Sequence, residues 1–238
     1  MPTPITLISS MATRQVLAEL ARAYAAQAGC EVALESVGGV DAARRVQAGE
    51  AFDAVVLASD AIAKLVASGH VVAGSCVDLV RSPVAVAVRA GAPRPDVASE
   101  AALRQAVAAA RSIGHSTGPS GTHLARLFER WGLADVLRDR IVVPPPGVPV
   151  GSLVAQGEIE LGFQQLSELM YLEGIDVIGT LPTGCDFITT FSGGLCAAST
   201  QAEAVRALLE FMASPMADEA KRRHGMEPAV RPTAGDSP

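Results

Sequence analysis

The chain predicts an α/β protein of two lobes, and three observations carry that expectation. Over residues 1–75, short apolar strands alternate with amphipathic helices, with turn residues at the C-terminal end of each strand. Such a βαβαβα order gives a parallel sheet whose ligand crevice lies beyond those ends. A long β-prone run, residues 79–89, then interrupts the alternation, and a strand-like run at residues 189–198 returns before two last helices. Two connecting β segments make a hinge. They divide the chain into residues 1–80 plus 190–238 as lobe 1 and 85–185 as lobe 2, with crossings at 81–84 and 186–189. A cleft between such lobes is a usual place for a small ligand.

Each element follows from local pattern. Residues 5–9 are an apolar run that reads as a buried strand. Ser9-Ser10-Met11 opens a helix whose apolar face is Val16, Leu17, Leu20, Ala21 and Tyr24, with Gly29 at its end. Residues 31–36 alternate as a second strand, and Gly38-Gly39 turns into a helix carrying Arg44 and Arg45. Residues 53–58 form a third strand, with Ser59-Asp60 as the cap of the next helix. Pro83 places its run on an edge or at a bend. Ser99 caps a helix over 99–111, and Ile113 enters a glycine- and hydroxyl-rich turn, Gly114 to Thr122. Beyond it Leu124, Leu127, Phe128 and Trp131 make one apolar helix stripe. Strands follow at 141–143, 160–163 and 175–178, with a short helix at 150–157 between the first two. After residue 189 a helix presents Val205, Leu208, Leu209 and Met212 on one face, and the tail from Pro228 reads as frayed.

Composition narrows the function. The chain has 238 residues, 49% of them hydrophobic and 18% charged, enough for a substantial core. Net charge is −6 and aromatics are 4%, which argues against nucleic acid as a partner. No stretch reaches the roughly 18 apolar residues of a membrane span. No export leader is visible, so the expected location is cytoplasmic, or periplasmic if a leader has been removed. Cys30, Cys76, Cys185 and Cys196 form no C-x-x-C pair and read mostly as reduced core residues. The histidines lack metal-ligand spacing, and no P-loop or dinucleotide fingerprint is present, so neither metal nor cofactor is expected.

Several runs together carry a family resemblance: Ile8-Ser9-Ser10-Met11, Gly38-Gly39, residues 46–60, Gly118-Pro119-Ser120-Gly121 and residues 154–162. In this order and spacing the chain resembles the type 2 periplasmic-binding-protein fold, and within it the periplasmic molybdate-binding proteins. The resemblance spans nearly the whole chain and implies an anion held in an interlobe cleft, with an ABC transporter permease as partner for an exported member. Molybdate-binding members usually carry a Ser where this chain has Gly38-Gly39 and a Tyr where it has Gln164-Gln165. Both changes remove hydroxyl donors from an oxyanion cage. Some relatives of this fold are enzymes, aconitate isomerases among them. That implies a tricarboxylate and a 1,3-proton shift, and the lean is towards an isomerase.

The candidate ligand residues are Ser9, Ser10, Gly38, Gly39, Arg44, Ser82, Ser116, Thr117, Ser120, Gly121, Gln164 and Gln165. Helix starts leave unpaired N–H groups and a partial positive charge, which suit a carboxylate or oxyanion. Ser9 and Ser10 read equally as a plain helix cap, and the two glycines as a turn with φ > 0. Arg44 and Arg45 are adjacent, so one can reach a carboxylate while the other stays in solvent. Alternation along a strand sends one of Gln164 and Gln165 to the ligand and the other away. His115 is the candidate catalytic base, because its unperturbed pKa lies near 6.5; the competing reading is a hydrogen-bonded structural histidine.

Overall fold

The computed structural model describes residues 3–145 and 147–229. Met1-Pro2, Pro146 of the proline run and residues 230–238 of the tail read as frayed lie outside them. The chain forms two compact units, Met1–Arg81 with Thr190–Pro238 and Ser82–Thr189.

In the first unit, β1 (Ile5–Ser10) pairs in parallel with β2 (Val32–Val37) and β3 (Ala54–Ala58), and β3 pairs antiparallel with the returning β9 (Ile188–Leu195). Alternation along these strands sorts the core into two faces. Ile5, Leu7, Ala54 and Val56 pack with Val16, Leu17, Leu20 and Tyr24 of α1 (Arg14–Ala28) and with Val205, Leu208, Leu209 and Met212 of α9 (Ala202–Ala213). Ile8, Val55 and Leu57 face the other way, onto Ala42 and Val46 of α2 (Gly39–Gln47) and Ile62 and Leu65 of α3 (Ser59–Ala67). Each such Leu, Ile or Val stabilises by about 1.5–3 kcal/mol when fully buried. Helices therefore cover both faces of β3, which is buried along its whole length.

In the second unit, β7 (Leu161–Gln165) is central. It pairs in parallel with β5 (Ile113–His115) and antiparallel with the latter half of β4 (Val77–Arg89). β6 (Ile141–Val142) lies on β5, and β8 (Ile175–Thr180) on β4. Leu124, Leu127 and Phe128 of α5 (Pro119–Arg130) and Leu103 and Val107 of α4 (Glu100–Ala109) pack with Val84, Val86, Ile113, Leu161 and Phe163. The opposite face is smaller, built from Val150 and Val154 of α7 (Val150–Gln156) with Ile159, and from Leu169 of α8 (Leu166–Leu169) over Ala85 and Ala87.

Local corrections to the sequence reading have local causes. A single 3-10 turn, Met11–Thr13, separates β1 from α1, tightened by the Thr13 hydroxyl donating to Ser10 O at 3.1 Å. Ser59 and Asp60 lie inside the first turn of α3 and form no side-chain cap. Pro83 stands in the middle of a thirteen-residue strand without ending it. Cys76 is exposed, unlike Cys185 and Cys196, which are buried. The remaining helices are α6 (Ala134–Leu137) and α10 (Asp218–Arg223), and β10 (Glu227–Pro228) pairs with β4. Among the described residues no helix is long and apolar enough to cross a membrane.

Candidate functional site

In the first unit the predicted residues gather where β1 and β2 end. The register sets Ser9 beside Ser36 and Ser10 beside Val37. The Ser9 and Ser36 hydroxyls share a hydrogen bond of 2.8 Å, and Ser9 Oγ also donates to Ser10 O at 3.2 Å. Ser9 is fully buried, so its hydroxyl ties two strands together. Ser10 Oγ lies 3.5 Å from Thr13 Oγ1, and a Cβ on Gly39 would stand 3.6 Å from the Ser10 Cβ. The start of α2 therefore lies against Ser10. Neither Gly38 nor Gly39 has positive φ, contrary to the turn reading. Gly38 has φ −56° with nothing within 4 Å of an added Cβ. Gly38 is the N-cap of α2 and offers no side-chain acceptor to the first N–H groups of the helix, which have no intrahelical partner.

Arg44 is not drawn into this cluster by any contact. It pairs with Asp41 on its own helix, and its side chain is 74% exposed. Arg45 is held by Glu35 and Glu50, and its guanidinium lies 5.1 Å from the centre of the Phe52 ring. Both arginines are thus spent on surface pairing.

In the second unit the turn from β5 into α5 is tightly built. His115 Nδ1 donates to the Ser116 carbonyl at 3.0 Å, which leaves Nε2 as the nitrogen with a lone pair. Ser116 Oγ and Ser120 Oγ lie 3.2 Å apart. A Cβ on Gly121 would fall 1.7 Å from Ser116 O and 2.9 Å from His115 Nδ1. Only glycine lets the helix approach the turn this closely. Gly118, with no side chain to offer, occupies the N-cap, and Pro119 is the first helical residue, so no side chain caps this helix. Thr117 is exposed, Ser116 half-buried and Ser120 buried.

The two glutamines are both buried, because β7 is central, and each serves the interior of its own unit. With its amide oriented by its hydrogen bonds, Gln165 donates to Ser82 Oγ at 2.9 Å and Pro83 O at 3.2 Å and accepts from Thr189 Oγ1 at 2.7 Å. Ser82 is fully buried, so Ser82, Gln165 and Thr189 form a bond set inside the unit. Gln164 accepts from Gly151 N at 3.2 Å and donates from Nε2 to Glu168 Oε1 at 2.8 Å.

Glu168, on α8, was not among the residues singled out from sequence. It is half-buried, one turn beyond the end of β7. Burial pushes its carboxyl up to about 7, against hydrogen bonds from the Gln164 side chain and the Gln165 backbone that favour the ionised form. The sequence signal was the spacing Gln164 to Glu168, four residues apart, with the acid set between Leu166 and Leu169. Ser36, Thr13 and Thr189 were also missed. Among the described residues, no three or more His, Cys, Asp or Glu side chains converge to hold a metal ion.

Each unit thus presents hydroxyls and helix N–H groups where its parallel strands end, and the second adds an imidazole and a carboxyl that titrates near neutrality. A family model described as bacterial extracellular solute-binding protein matches residues 5–227. An aconitate isomerase from a Pseudomonas species is 39% identical over 234 residues, covering 95% of this chain and 88% of that protein. The periplasmic molybdate-binding protein of Azotobacter vinelandii superposes with a TM-score of 0.78 at 20% identity, over 96% of this chain and all of that one. The sulfate-binding protein of Mycobacterium tuberculosis gives 0.77 at 18% identity, over 95% and 87%. These two likenesses establish the fold, that of the type 2 periplasmic-binding proteins.

Proposed function

Because the chain belongs to the bacterial extracellular solute-binding protein family, we propose that it binds a small tricarboxylate of the aconitate class and isomerises it by a 1,3-proton shift. The observation that carries this reading is the 39% identity to an aconitate isomerase across nearly the whole of both chains. Each unit offers donors suited to a carboxylate: in the first unit they are Ser10 and the backbone N–H groups beyond Gly38 and Gly39. In the second they are Ser116, Thr117 and Ser120. Ser9, Ser82 and Gln165 are left to structure, since their side chains are buried and bonded internally.

The chemistry asks little of a cofactor. A base takes a proton from the methylene carbon next to the substituted double bond, and that C–H electron pair becomes a new C=C bond. The old π pair takes a proton at the former vinyl carbon, and the double bond has moved. Negative charge developing on the carbon skeleton and its carboxylates is stabilised by fixed donors such as helix N–H groups. Two side chains of the second unit are able to carry the proton, His115 through Nε2 and Glu168 through its carboxylate.

A second reading rests on the family description: a non-catalytic solute-binding protein, exported, delivering an oxyanion or organic acid to an ABC transporter permease. The test separates the two. Thermal-shift titration against molybdate, tungstate, sulfate and di- and tricarboxylates identifies the ligand, since 100 times Kd stabilises by about 2.7 kcal/mol. Incubation with trans-aconitate, followed by chromatography for the cis isomer, then decides on catalysis. Tricarboxylate binding with turnover is the expected result. Binding without turnover returns the protein to the transport class, and molybdate binding without tricarboxylate binding ends the ligand assignment.

A further inference from the structure

We propose that Glu168 is the acid–base group of this site, taking the methylene proton and returning it to the vinyl carbon, with Gln164 as its positioning residue. The inference rests on the isomerase reading above and adds to it the identity of the proton carrier. Three structural facts favour Glu168 over His115. First, Glu168 is half-buried, on the short helix that directly follows the central strand, so it keeps partial access to solvent. Second, its orientation is dictated: Gln164 Oε1 accepts from Gly151 N, so the amide's NH2 end points the other way, onto Glu168 Oε1 at 2.8 Å. Third, His115 is wedged between the Ser116 carbonyl and Gly121, so its Nδ1–H maintains the turn.

Among the described residues, burial and two hydrogen bonds set the titration of Glu168, and no neighbouring charge enters it. On β4, whose Ala85 and Ala87 pack with Leu169 of α8, the charged residues are Asp78, Arg81 and Arg89. β7 carries no titratable side chain, and neither does α7, which supplies Gly151. On β8, Asp176 is occupied by Arg94 at 3.1 Å and by Gly91 N–H at 3.2 Å. Tyr171 and Glu173, in the turn after α8, are exposed. Burial is the main cause of the raised carboxyl, so its basic form fills in as pH passes about 7. A base of that strength accepts a proton from an activated methylene and still gives it back near neutral pH.

The experiment is a pH profile of kcat for trans-aconitate conversion, with variants Glu168→Gln, Gln164→Leu and His115→Ala. The parent is expected to show an ascending limb near pH 7. Glu168→Gln should lower kcat by about 10²–10⁴-fold while its thermal shift with trans-aconitate persists. Gln164→Leu removes a hydrogen bond that favours the carboxylate, so the limb should move to higher pH, which a merely structural role would not produce. His115→Ala should leave the limb where it is. Glu168→Gln turnover within threefold of the parent overturns the assignment, as does a limb that disappears in His115→Ala. Should Glu168→Gln not fold, a parent profile flat between pH 6 and 8, or an unmoved limb in Gln164→Leu, overturns it equally. A parent that binds trans-aconitate without converting it ends the isomerase reading and the proton role together, whereas a competent parent with an equally competent Glu168→Gln ends the proton role alone.

Discussion

Asp53 in the first unit and Glu168 in the second are carboxylates at the end of a central strand, but at opposite ends: Asp53 precedes β3 and Glu168 follows β7. Burial pushes both up. In Asp53 that push is overcome by Ser199 Oγ at 2.6 Å, Thr6 N at 2.9 Å, Thr6 Oγ1 at 2.8 Å and Gln201 Nε2 at 3.1 Å, which hold the carboxyl below its usual range. In Glu168 the donors among the described residues are the Gln164 amide and the Gln165 backbone, and burial wins. The difference teaches where each group's work lies. A carboxylate given four donors joins β1, β3 and the loop before α9 as a permanent anion. One left short of donors has a charge that changes cheaply with its surroundings, a property that active sites use.

The comparison breaks most visibly if Asp53 is removed. Asp53→Ala leaves Thr6 N–H and the Ser199 and Gln201 donors without their acceptor. Losing hydrogen bonds to a charged group, with donors orphaned, costs about 2–4 kcal/mol. For a chain of this size that lowers Tm by about 4–16 °C. Trans-aconitate affinity of the folded fraction should be unchanged. Differential scanning calorimetry with and without ligand checks both, and a Tm within 1 °C of the parent would mean that Asp53 anchors nothing.

Next in size is Gly121→Ala, which probes the other unit at its turn. An alanine Cβ would overlap the Ser116 carbonyl, so either α5 or the turn must move. Overpacking of this kind costs about 1–3 kcal/mol, and displacement of the Ser116–Ser120 pair should lower kcat/KM at least tenfold. Normal kinetics in a destabilised variant would show that the turn is only structural.

These contrasts also show what the amino-acid order makes legible. The apolar stripes of α1, α5 and α9 repeat over three or more turns, so Leu17, Leu127 and Leu208 announced their buried faces from spacing alone. Glu168 sits on a four-residue helix, too short for any period to declare itself. The roles of Gln165 and Ser82 depend on Thr189, 24 residues beyond Gln165, and no local pattern carries that. Ser59 and Asp60 looked like a cap because the residue types were right, but α3 begins directly at the end of β3 and takes them into its first turn. The ends of the first two strands were legible as a cluster since Ser9, Ser10, Gly38 and Gly39 each follow a recognisable strand. That Ser9 is sealed by Ser36 needed the strand register.

Stability against pH sharpens the same contrast, with a smaller effect. The raised carboxyl of Glu168 favours its protonated form in the folded state. Its contribution is complete below the unfolded value of about 4.5 and is lost as pH rises through about 7. For Asp53, held low, the contribution is present above the unfolded value near 4 and fades as pH falls below it. Glu168→Gln, neutral throughout, should therefore match the parent near pH 4.5 and exceed it at pH 8. The gain is on the order of 1–2 kcal/mol, once solvent screening of a half-buried group is allowed for. Urea titrations at pH 4.5, 6 and 8 measure it, and a difference that does not grow with pH would deny that Glu168 is buried against its charge.

The smallest expected effect belongs to Arg44→Ala, and it decides whether the first unit binds by charge or by dipoles. Arg44 was a candidate ligand residue because a guanidinium meets a carboxylate bidentately. In the structure it pairs with Asp41 three residues back, with most of the side chain in solvent. Exposed pairs of this spacing contribute about 0.3–0.5 kcal/mol, and the guanidinium gains little by holding its place. Gly38, in contrast, caps α2 without a side chain, so the first N–H groups of that helix have no side-chain acceptor from their own cap. If those dipoles hold the anion, Arg44→Ala shifts stability by less than about 0.5 kcal/mol and leaves calorimetric affinity for trans-aconitate within twofold. A tenfold weaker Kd, about 1.4 kcal/mol, would instead mean that the side chain leaves Asp41 for the ligand. That loss should shrink at high salt if it is an exposed ion pair and persist if the contact is desolvated, so a second titration at raised ionic strength separates the two.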